Sequence, residues 1–178
     1  MSELVLSQPT KQPGMVSQYL IFSLGGELFA VGTLRVREII EYGNITSVPM
    51  MPGFIRGVIN LRGAVVPVID LNARFGRART ETSRRTCIVI LEVHNGEDTH
   101  VLGIIVDAVS AVRQIDSSNI EPPPSFGTRI RADFIDGMAK VNGSFVILLD
   151  LGKVLSVDEI SMLQGVASSS HTAHHIEG

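Results

Sequence analysis

The stretch FIRGVINLRGAVVPVIDLNARF, residues 54–75, decides the fold of this chain, because it recurs eighty positions later as FIDGMAKVNGSFVILLDLGKVL, residues 134–155. The two copies align without a gap, and Gly57 and Gly63 each fall on a glycine of the second copy. Glycines shared in this way indicate backbone sites that need a positive φ or a close approach, so the copies share turns as well as apolar residues. The sequence therefore predicts two copies of one structural unit.

Weaker sequence matches upstream of the two stretches complete the repeated unit. VGTLRVRE at residues 31–38 matches VDAVSAVR at residues 106–113, and YLIF at residues 19–22 faces CIVI at residues 87–90. Each unit therefore reads as an apolar hairpin, a short crossover, a proline-rich turn and the glycine-punctuated ribbon.

Many short apolar strands separated by glycine turns favour small closed barrels over a parallel sheet. We therefore predict an all-β fold of two SH3-like five-stranded β-barrels from an internal duplication, with short helices and a C-terminal helix. The expected segments are a disordered tail (1–15), a first barrel (16–80), a second barrel (85–155), a helix (156–166) and a second disordered tail (167–178). Units of this size bury too little surface alone, so the barrels should pack together as one domain, residues 16–166.

Turn and proline signals place particular positions. Asn142 and Gly143 are typical of a type I′ turn, and Arg62 and Gly63 occupy the matching place in the first copy. Pro67 cannot donate a ladder hydrogen bond, which predicts that its strand is an edge strand or is bulged there.

Composition excludes several classes of function. A net charge of −3 gives no general attraction to nucleic acid. No apolar run approaches the roughly twenty residues that span a bilayer, and the opening residues lack the pattern of a signal peptide. With Cys87 as the single cysteine, the expected protein is soluble and cytoplasmic, without disulfides and without membrane insertion.

Candidate catalytic and metal-binding residues are few. The chain has no phosphate-binding loop, dinucleotide fingerprint or nucleophile elbow. Asp70 and Asp150 resemble a paired-carboxylate site, but each ends a strand in the same repeat position, which favours capping of the following turn. His171, His174 and His175 stand in a tail with few apolar residues to fix a metal site, so no metal or cofactor is predicted.

The residues that carry a family resemblance are FSLGGELFAV (22–31), VREI (36–39), FIRGVINLRGAVVPVIDL (54–71), VLGIIVDAVSAV (101–112) and FVILLDLGKVL (145–155). The chain resembles the CheW family of chemotaxis coupling proteins from about Gln18 to Gln164. The resemblance implies two SH3-like barrels with a groove between them and a non-enzymatic adaptor. Its implied partners are the cytoplasmic tip of a methyl-accepting receptor and the regulatory domain of the histidine kinase CheA. The resemblance also implies that other CheW-like proteins can be its neighbours in rings beneath membrane receptor arrays.

The resemblance also implies site residues. The receptor-facing positions are Val36, Glu38, Arg62, Gly103, Val109 and Val112. The contacts to the kinase and to ring neighbours fall on Phe126 and Glu121. At Glu121 the chain departs from the family pattern, in which a basic residue is usual. From the residues alone, Arg62 fits a solvated turn residue and a contact residue equally well.

Other interpretations of the sequence stay open. A CheW-like adaptor can serve pili or another output rather than flagella, and a double barrel can be a generic peptide-binding module. An enzyme on this fold would need a convergent polar cluster, and the sequence offers none. Simultaneous binding of a receptor tip and a kinase distinguishes the adaptor from a plain peptide-binding module.

Overall fold

The structure, a computed structural model, describes residues 15–95, 97–123 and 132–155. Within these ranges the chain forms eleven strands and two one-turn helices. The strands are β1 (Val16–Leu24), β2 (Glu27–Gly32), β3 (Val36–Glu41), β4 (Ile55–Leu61), β5 (Ala64–Asp70), β6 (Cys87–Asn95), β7 (Asp98–Val106), β8 (Ala108–Asp116), β9 (Ile120–Glu121), β10 (Ile135–Val141) and β11 (Ser144–Leu149). The helices are α1 (Leu71–Arg74) and α2 (Leu151–Val154). Short 3₁₀ turns occupy Thr33–Arg35, Ser117–Asn119 and Ala132–Phe134.

The strands form two sheets, which we name barrel A and barrel B. Barrel A has the order β8-β1-β2-β11-β10-β9, and barrel B has the order β3-β6-β7-β5-β4. In barrel B the segment after β3 returns to β4, where Thr46 and Val58 exchange two hydrogen bonds of 2.8 Å. In barrel A the segment after β8 returns in the same way, and Glu121 of β9 pairs with Met138 of β10. The predicted all-β fold of two small barrels is confirmed.

The predicted assignment of residues 16–80 to one barrel and 85–155 to the other is wrong. The hairpin β1–β2 of the first copy pairs with β8 and β11 of the second copy, and the hairpin β6–β7 pairs with β3 and β5 of the first. The two copies therefore exchange their first hairpins. Each barrel is built from both halves of the chain, and the connection between the halves links two interlocked units.

The repeat of the first hairpin is also shifted by one position from the predicted alignment. Ile21 pairs with Ala30 in barrel A, and Ile90 pairs with Gly103 at the matching point of barrel B. Ile21 therefore corresponds to Ile90, whereas the predicted alignment set Phe22 against Ile90. Since a slip of one residue turns every side chain to the other face, and both faces of these strands are apolar, the pattern alone does not fix this register.

The largest apolar core lies between the barrels. Its members come from both sheets, for example Leu20 and Phe22 on β1 with Val89 and Leu91 on β6. Barrel A encloses Ile21, Ala30, Ile115, Ala139, Val146 and Leu148, and barrel B encloses Ile59, Val66, Val68, Ile88, Ile90 and Ile105. Among the described residues the shared core holds twenty buried side chains against six in each barrel. The predicted packing of the barrels against each other is confirmed.

Arg74 on α1 lies where the two copies of the repeat meet. Its guanidinium carbon is 5.0 Å from the ring centroids of Phe54 and Phe134, which occupy the same position of the repeated stretch. Its Nε donates a hydrogen bond of 2.7 Å to the carbonyl oxygen of Val154, the repeat counterpart of Arg74 itself. Arg74 therefore joins the barrels by two cation–π contacts and one hydrogen bond.

Gly57 and Pro67, in the first copy of the repeated stretch, each meet a geometric requirement of barrel B. A Cβ on Gly57 would lie 2.1 Å from the carbonyl oxygen of Thr46, so the closing bridge needs a glycine there. Pro67 lies in β5, a central strand between β4 and β7, so of the two predicted alternatives the edge position is wrong. The bulge falls on the partner strand, where the pairing of β4 with β5 shifts between Ile55 and Gly57, one pair beyond Pro67. The parallel ladder to β7 begins at Val68, so the missing N–H of Pro67 falls before it.

Several predicted features lie outside the described residues: most of the N-terminal tail, the helix at 156–166, the tail at 167–178 with its histidines, and Phe126. In the part of the chain that the structure describes, no helix has the length and apolar character needed to cross a membrane.

Candidate docking surfaces

A groove that encloses about 640 Å³ lies between the two barrels. Apolar side chains from both sheets line it, including Tyr19, Val93, Ile115, Ile120, Leu148, Leu149 and Leu151. Leu34, in the 3₁₀ turn after β2, stands at this groove with 99% of its surface exposed. An exposed leucine beside an apolar concave surface is typical of a protein-binding site. The sequence analysis missed Leu34. Its signal in the sequence is an apolar residue within a turn, where polar residues are more usual.

Arg62 and Glu38 form an ion pair at one end of barrel B. Arg62 opens the β4–β5 turn in a left-handed backbone conformation, with φ of 53°, and its Nη2 donates to Glu38 Oε2. Glu38 lies on β3, and β3 and β4 are the two outer strands of the sheet, so the pair bridges the edges of the barrel. Side-chain exposure of 69% for Arg62 and 29% for Glu38 leaves the pair open to solvent.

The backbone of Arg62 is unusual for an arginine. Asparagine is enriched among left-handed residues other than glycine, and Asn142 occupies the same position of the second copy with φ of 51°. The backbone conformation therefore gives no reason for an arginine in place of an asparagine at this turn. Both predicted residues thus come together in one contact, whereas the sequence had indicated only a turn arginine and a separate strand glutamate.

Val36 and Val109 occupy equivalent places on the edge strands of the two barrels. Val36 pairs with Leu91 and Val109 pairs with Phe22, and both valines are half-buried against the shared core. Val112, further along β8, is 51% exposed. The structure therefore offers an accessible apolar surface at Val112, and mainly packing positions at the other two.

Gly103, a receptor-facing position implied by the family resemblance, lies against the interior of barrel B. Gly103 is buried on β7, and a Cβ there would lie 2.7 Å from Cγ2 of Ile88 and 3.3 Å from Cδ1 of Ile90. Both isoleucines belong to the interior of barrel B. Gly103 therefore makes room for the barrel core, as the small Ala30 does at the matching place of barrel A.

Glu121 ends the short strand β9 and is exposed. It pairs through its backbone with Met138 of β10. Phe126, the other predicted ring contact, lies outside the described residues.

The strand-end aspartates cap helices, as predicted. Asp70 Oδ1 accepts a hydrogen bond of 3.3 Å from the Ala73 amide, and Asp150 Oδ1 accepts one of 3.2 Å from the Lys153 amide. Each residue is therefore the N-cap of the short helix that follows it.

Asp70 has a second set of partners that the sequence analysis missed. It is fully buried, and it accepts hydrogen bonds of 2.8 Å from Arg56 Nη2, from the Thr80 amide and from the Thr80 hydroxyl. Burial alone would raise the pKa of Asp70, but the hydrogen bonds from Arg56, Thr80 and Ala73 outweigh it and hold the pKa below its ordinary value. A carboxylate so enclosed anchors the segment that links the two copies. The signal in the sequence is a charged residue, Arg56, inside an apolar strand.

Comparison with known proteins agrees with this architecture. The family described as the CheW-like domain matches residues 18–159. The chemotaxis protein CheW of Klebsiella aerogenes is 34% identical over 85% of this chain and 89% of its own length. The chemotaxis protein CheW of Rhizobium meliloti is 32% identical over 80% of this chain and 89% of its own. The crystal structure of the scaffolding protein TtCheW from Thermoanaerobacter tengcongensis superposes with a TM-score of 0.73 at 38% identity, covering 82% of this chain and 91% of that one.

The two-barrel fold is that of the scaffolding protein on which it superposes. The chain belongs to the CheW family. Its role is that of an adaptor in chemotaxis signalling.

Proposed function

We propose that this protein couples methyl-accepting chemoreceptors to the regulatory domain of the kinase CheA, and that it performs no catalysis of its own. The proposal places it in the cytoplasm, recruited to membrane receptor arrays in rings that can include other CheW-like proteins. The observation that carries the proposal is the apolar groove between the barrels with Leu34 exposed at its side.

The groove suits one stripe of an amphipathic helix, such as a receptor hairpin presents at its tip. Apolar side chains line the groove, most of them from barrel A and one, Val93, from barrel B, and Leu34 adds an anchor that stays in solvent until a partner arrives. Of the four charged residues in the lining, Arg35 is basic, while Glu92, Asp136 and Asp150 are acidic. A helix with basic residues beside its apolar stripe is therefore the best complement.

A separate surface is proposed for the kinase and for ring neighbours. Glu121 is exposed on β9, whose outer edge in the sheet has no strand partner among the described residues. An adaptor must bind two proteins at once, so the kinase contact is assigned to Glu121, which is not among the residues that line the groove, and to Phe126, which lies outside the described residues. The receptor contact extends from the groove to the exposed Val112 and to the Glu38–Arg62 pair, whose charges suit polar groups on a helix.

The test replaces Leu34 by serine and measures binding to a soluble receptor-tip fragment, together with receptor-dependent activity of the kinase. Loss of one exposed anchor should weaken receptor binding by about 1–3 kcal/mol, while the thermal midpoint stays unchanged. The matched control is Met50→Ser, since Met50 is 100% exposed and does not line the groove.

If Leu34→Ser and Met50→Ser weakened receptor binding equally, the groove would not be the receptor-binding site. Kinase and receptor that compete for the protein, instead of binding together, would make it a single-site peptide-binding module. Turnover of an ester, phosphate or nucleic acid substrate that survives purification and disappears on substitution of Asp150 would overturn the absence of catalysis.

A further inference from the structure

Residues 76–86 link the two copies of the repeat, and Thr80 anchors this linker to the first copy. Thr80 is buried, and its amide and hydroxyl each donate a hydrogen bond of 2.8 Å to the carboxylate of Asp70. Asn72 Nδ2 donates to the Thr80 hydroxyl at 2.9 Å, and Arg56 Nη2 donates to the Thr80 carbonyl oxygen at 3.1 Å. The linker is thus docked on the end of the first ribbon, and polar contacts hold it there.

Arg77 attaches the same linker to the first hairpin. Its amide donates a hydrogen bond of 2.8 Å to the carbonyl oxygen of Asn72, and its Nη1 donates one of 3.5 Å to the carbonyl oxygen of Leu24. Its Nη2 pairs with Glu27. We name four of the residues that contact Arg77 and Thr80 the linker site: Leu24, Arg56, Asp70 and Asn72.

The groove between the barrels is the counterpart of the linker site. The two ribbons are eighty positions apart, and the first hairpins align with Ile21 against Ile90. This alignment matches the four residues of the linker site with Val93, Asp136, Asp150 and Gly152, and all four line the groove. A surface that a segment of chain covers in the first copy is therefore open in the second, as far as the described residues show.

Residues 156–166 stand to the second copy as the linker stands to the first. They follow Leu155, the last described residue, which is buried in the shared core directly after α2. Leu151 and Gly152 of α2 line the groove, so residues 156–166 begin at its rim. The segment of chain that matches the linker therefore starts beside the surface that matches the linker site.

The two copies differ in the chemistry of this contact, on both of its sides. Val157 stands where the linker has Arg77, and Ile160 stands where it has Thr80. The surface has changed in parallel, because the arginine and the asparagine of the linker site are replaced by an aspartate and a glycine. The rest of the groove wall is largely apolar and includes Tyr19, Ile115, Ile120, Leu148 and Leu149. A polar segment on a polar site thus corresponds to an apolar segment beside an apolar groove.

We propose that residues 156–166 of this chain dock in the groove, with Val157 and Ile160 against its apolar wall. A receptor tip must then displace them, so the segment is an intramolecular competitor of the receptor. The docking is inferred from the repeat alone. The competition rests on the proposed function, in which the groove binds the receptor.

Charge explains why the segment can be displaced. Asp158 and Glu159 bring two negative charges to a lining that already holds three acidic residues and one basic residue. Like charges brought together oppose binding, whereas a receptor helix with basic residues complements the same lining. Apolar contact therefore holds the segment, and electrostatics favours the receptor.

The first experiment follows the backbone amide signals of Val93 and Ile120 in the full chain, since both residues line the groove far along the sequence from Ile160. Ile160→Asp should move both signals, because a carboxylate is costly to bury against an apolar wall. The matched control is Ser161→Asp, which adds the same charge one position later, where the linker has the exposed Glu81. It should leave both signals in place. Unmoved signals in Ile160→Asp, or equal movement in the two variants, would overturn the docking.

A free peptide of residues 156–166 provides a rescue of the same variant. Added to the Ile160→Asp chain at millimolar concentration, which is the effective concentration of a short tether, it should return the Val93 and Ile120 signals toward their wild-type positions. The peptide that carries Ile160→Asp should not, and equal results with the two peptides would contradict the assigned contact. Wild-type signals that depend on protein concentration would give the groove to the segment of a second copy and overturn the intramolecular contact.

Receptor binding separates the two parts of the inference. Ile160→Asp should bind the soluble receptor-tip fragment more tightly than wild type, about tenfold if the segment is docked in nine-tenths of the molecules. Moved amide signals with unchanged receptor affinity would keep the docking and overturn both the competition and the proposed receptor site. Unmoved signals, together with weaker receptor binding in Leu34→Ser, would leave the groove its proposed function without this intramolecular occupant.

Discussion

The ends of the two repeated ribbons carry the same aspartate in different surroundings. Asp150 caps α2 and is half-buried, while Asp70 caps α1 and also binds Arg56 and Thr80 in full burial. The counterpart of Arg56 in the second copy is Asp136, which cannot make the same pair. The shared cap serves the fold, while the extra contacts serve the connection that follows only the first copy. That connection must be held in place because it leads to the exchanged hairpin.

The largest effect is expected from separating the two halves of the chain. Each half contributes a hairpin to the barrel of the other, so a fragment of residues 15–84 or 85–178 should lack cooperative unfolding by circular dichroism. Chain nicked between Arg84 and Arg85, which are both exposed, should stay associated and unfold in one transition. Isolated halves that melt separately near the intact midpoint would show that each copy can close on its own hairpin.

The next effect concerns the buried pair at the end of the first ribbon. Arg56→Ala leaves the Asp70 carboxylate buried without its cation, and should lower the free energy of unfolding by about 3–5 kcal/mol in urea titrations. Asp150→Ala removes only a cap and should cost about 1 kcal/mol. Similar losses of unfolding free energy in Arg56→Ala and Asp150→Ala would show that the two strand-end aspartates do not differ in their contribution to stability.

Acid titration sharpens the same comparison. Since the pKa of folded Asp70 lies below its ordinary unfolded value, its contribution to stability is complete above that value and is lost as the pH falls through the folded pKa. Wild-type protein should therefore lose stability on the acid side more steeply than Asp70→Asn. Parallel stability–pH curves for the two proteins would contradict a lowered pKa.

A moderate effect is expected at the closing bridge of barrel B. Gly57→Ala places a Cβ against the Thr46 carbonyl and should cost about 2 kcal/mol or more, because backbone rather than a flexible side chain must move. Gly53→Ala, where an added Cβ meets nothing within 4 Å, is the matched control and should be close to neutral. A neutral Gly57→Ala would mean that the bridge is dispensable.

The smallest effect on stability is expected at Arg62. Arg62→Asn introduces the residue of the second copy, which suits the left-handed turn, so it should change the free energy of unfolding by less than about 1 kcal/mol. It also breaks the pair with Glu38, so we expect receptor-dependent kinase activity to fall while the fold persists. Full activity in Arg62→Asn would leave the arginine without a functional role.

How much the sequence could predict follows from these same elements. The repeat, the turns and nearly every strand were readable, because glycine positions and apolar runs depend on local geometry. The exchange of hairpins could not be predicted, because β5 and β11 are copies with the same apolar pattern. That pattern does not show which of the two strands pairs with β2. The contact between Glu38 and Arg62 joins the two outer strands of a sheet, and only closure of the barrel brings them together. For Leu34 and the Arg56–Asp70 pair the sequence shows only an apolar residue in a turn and a charged residue in an apolar strand, and their exposure and burial give these signals a meaning.

The exchanged hairpins have a consequence for symmetry. Two separate chains, each holding one copy and giving its first hairpin to the other, would form an isologous twofold dimer with the arrangement of this molecule. The segment between Arg74 and Cys87 joins two such subunits, so association no longer depends on protein concentration. Because one chain encodes the two copies separately, their sequences need not be identical, and the two faces of the molecule can diverge. The left-handed turn already holds an arginine in one copy and an asparagine in the other.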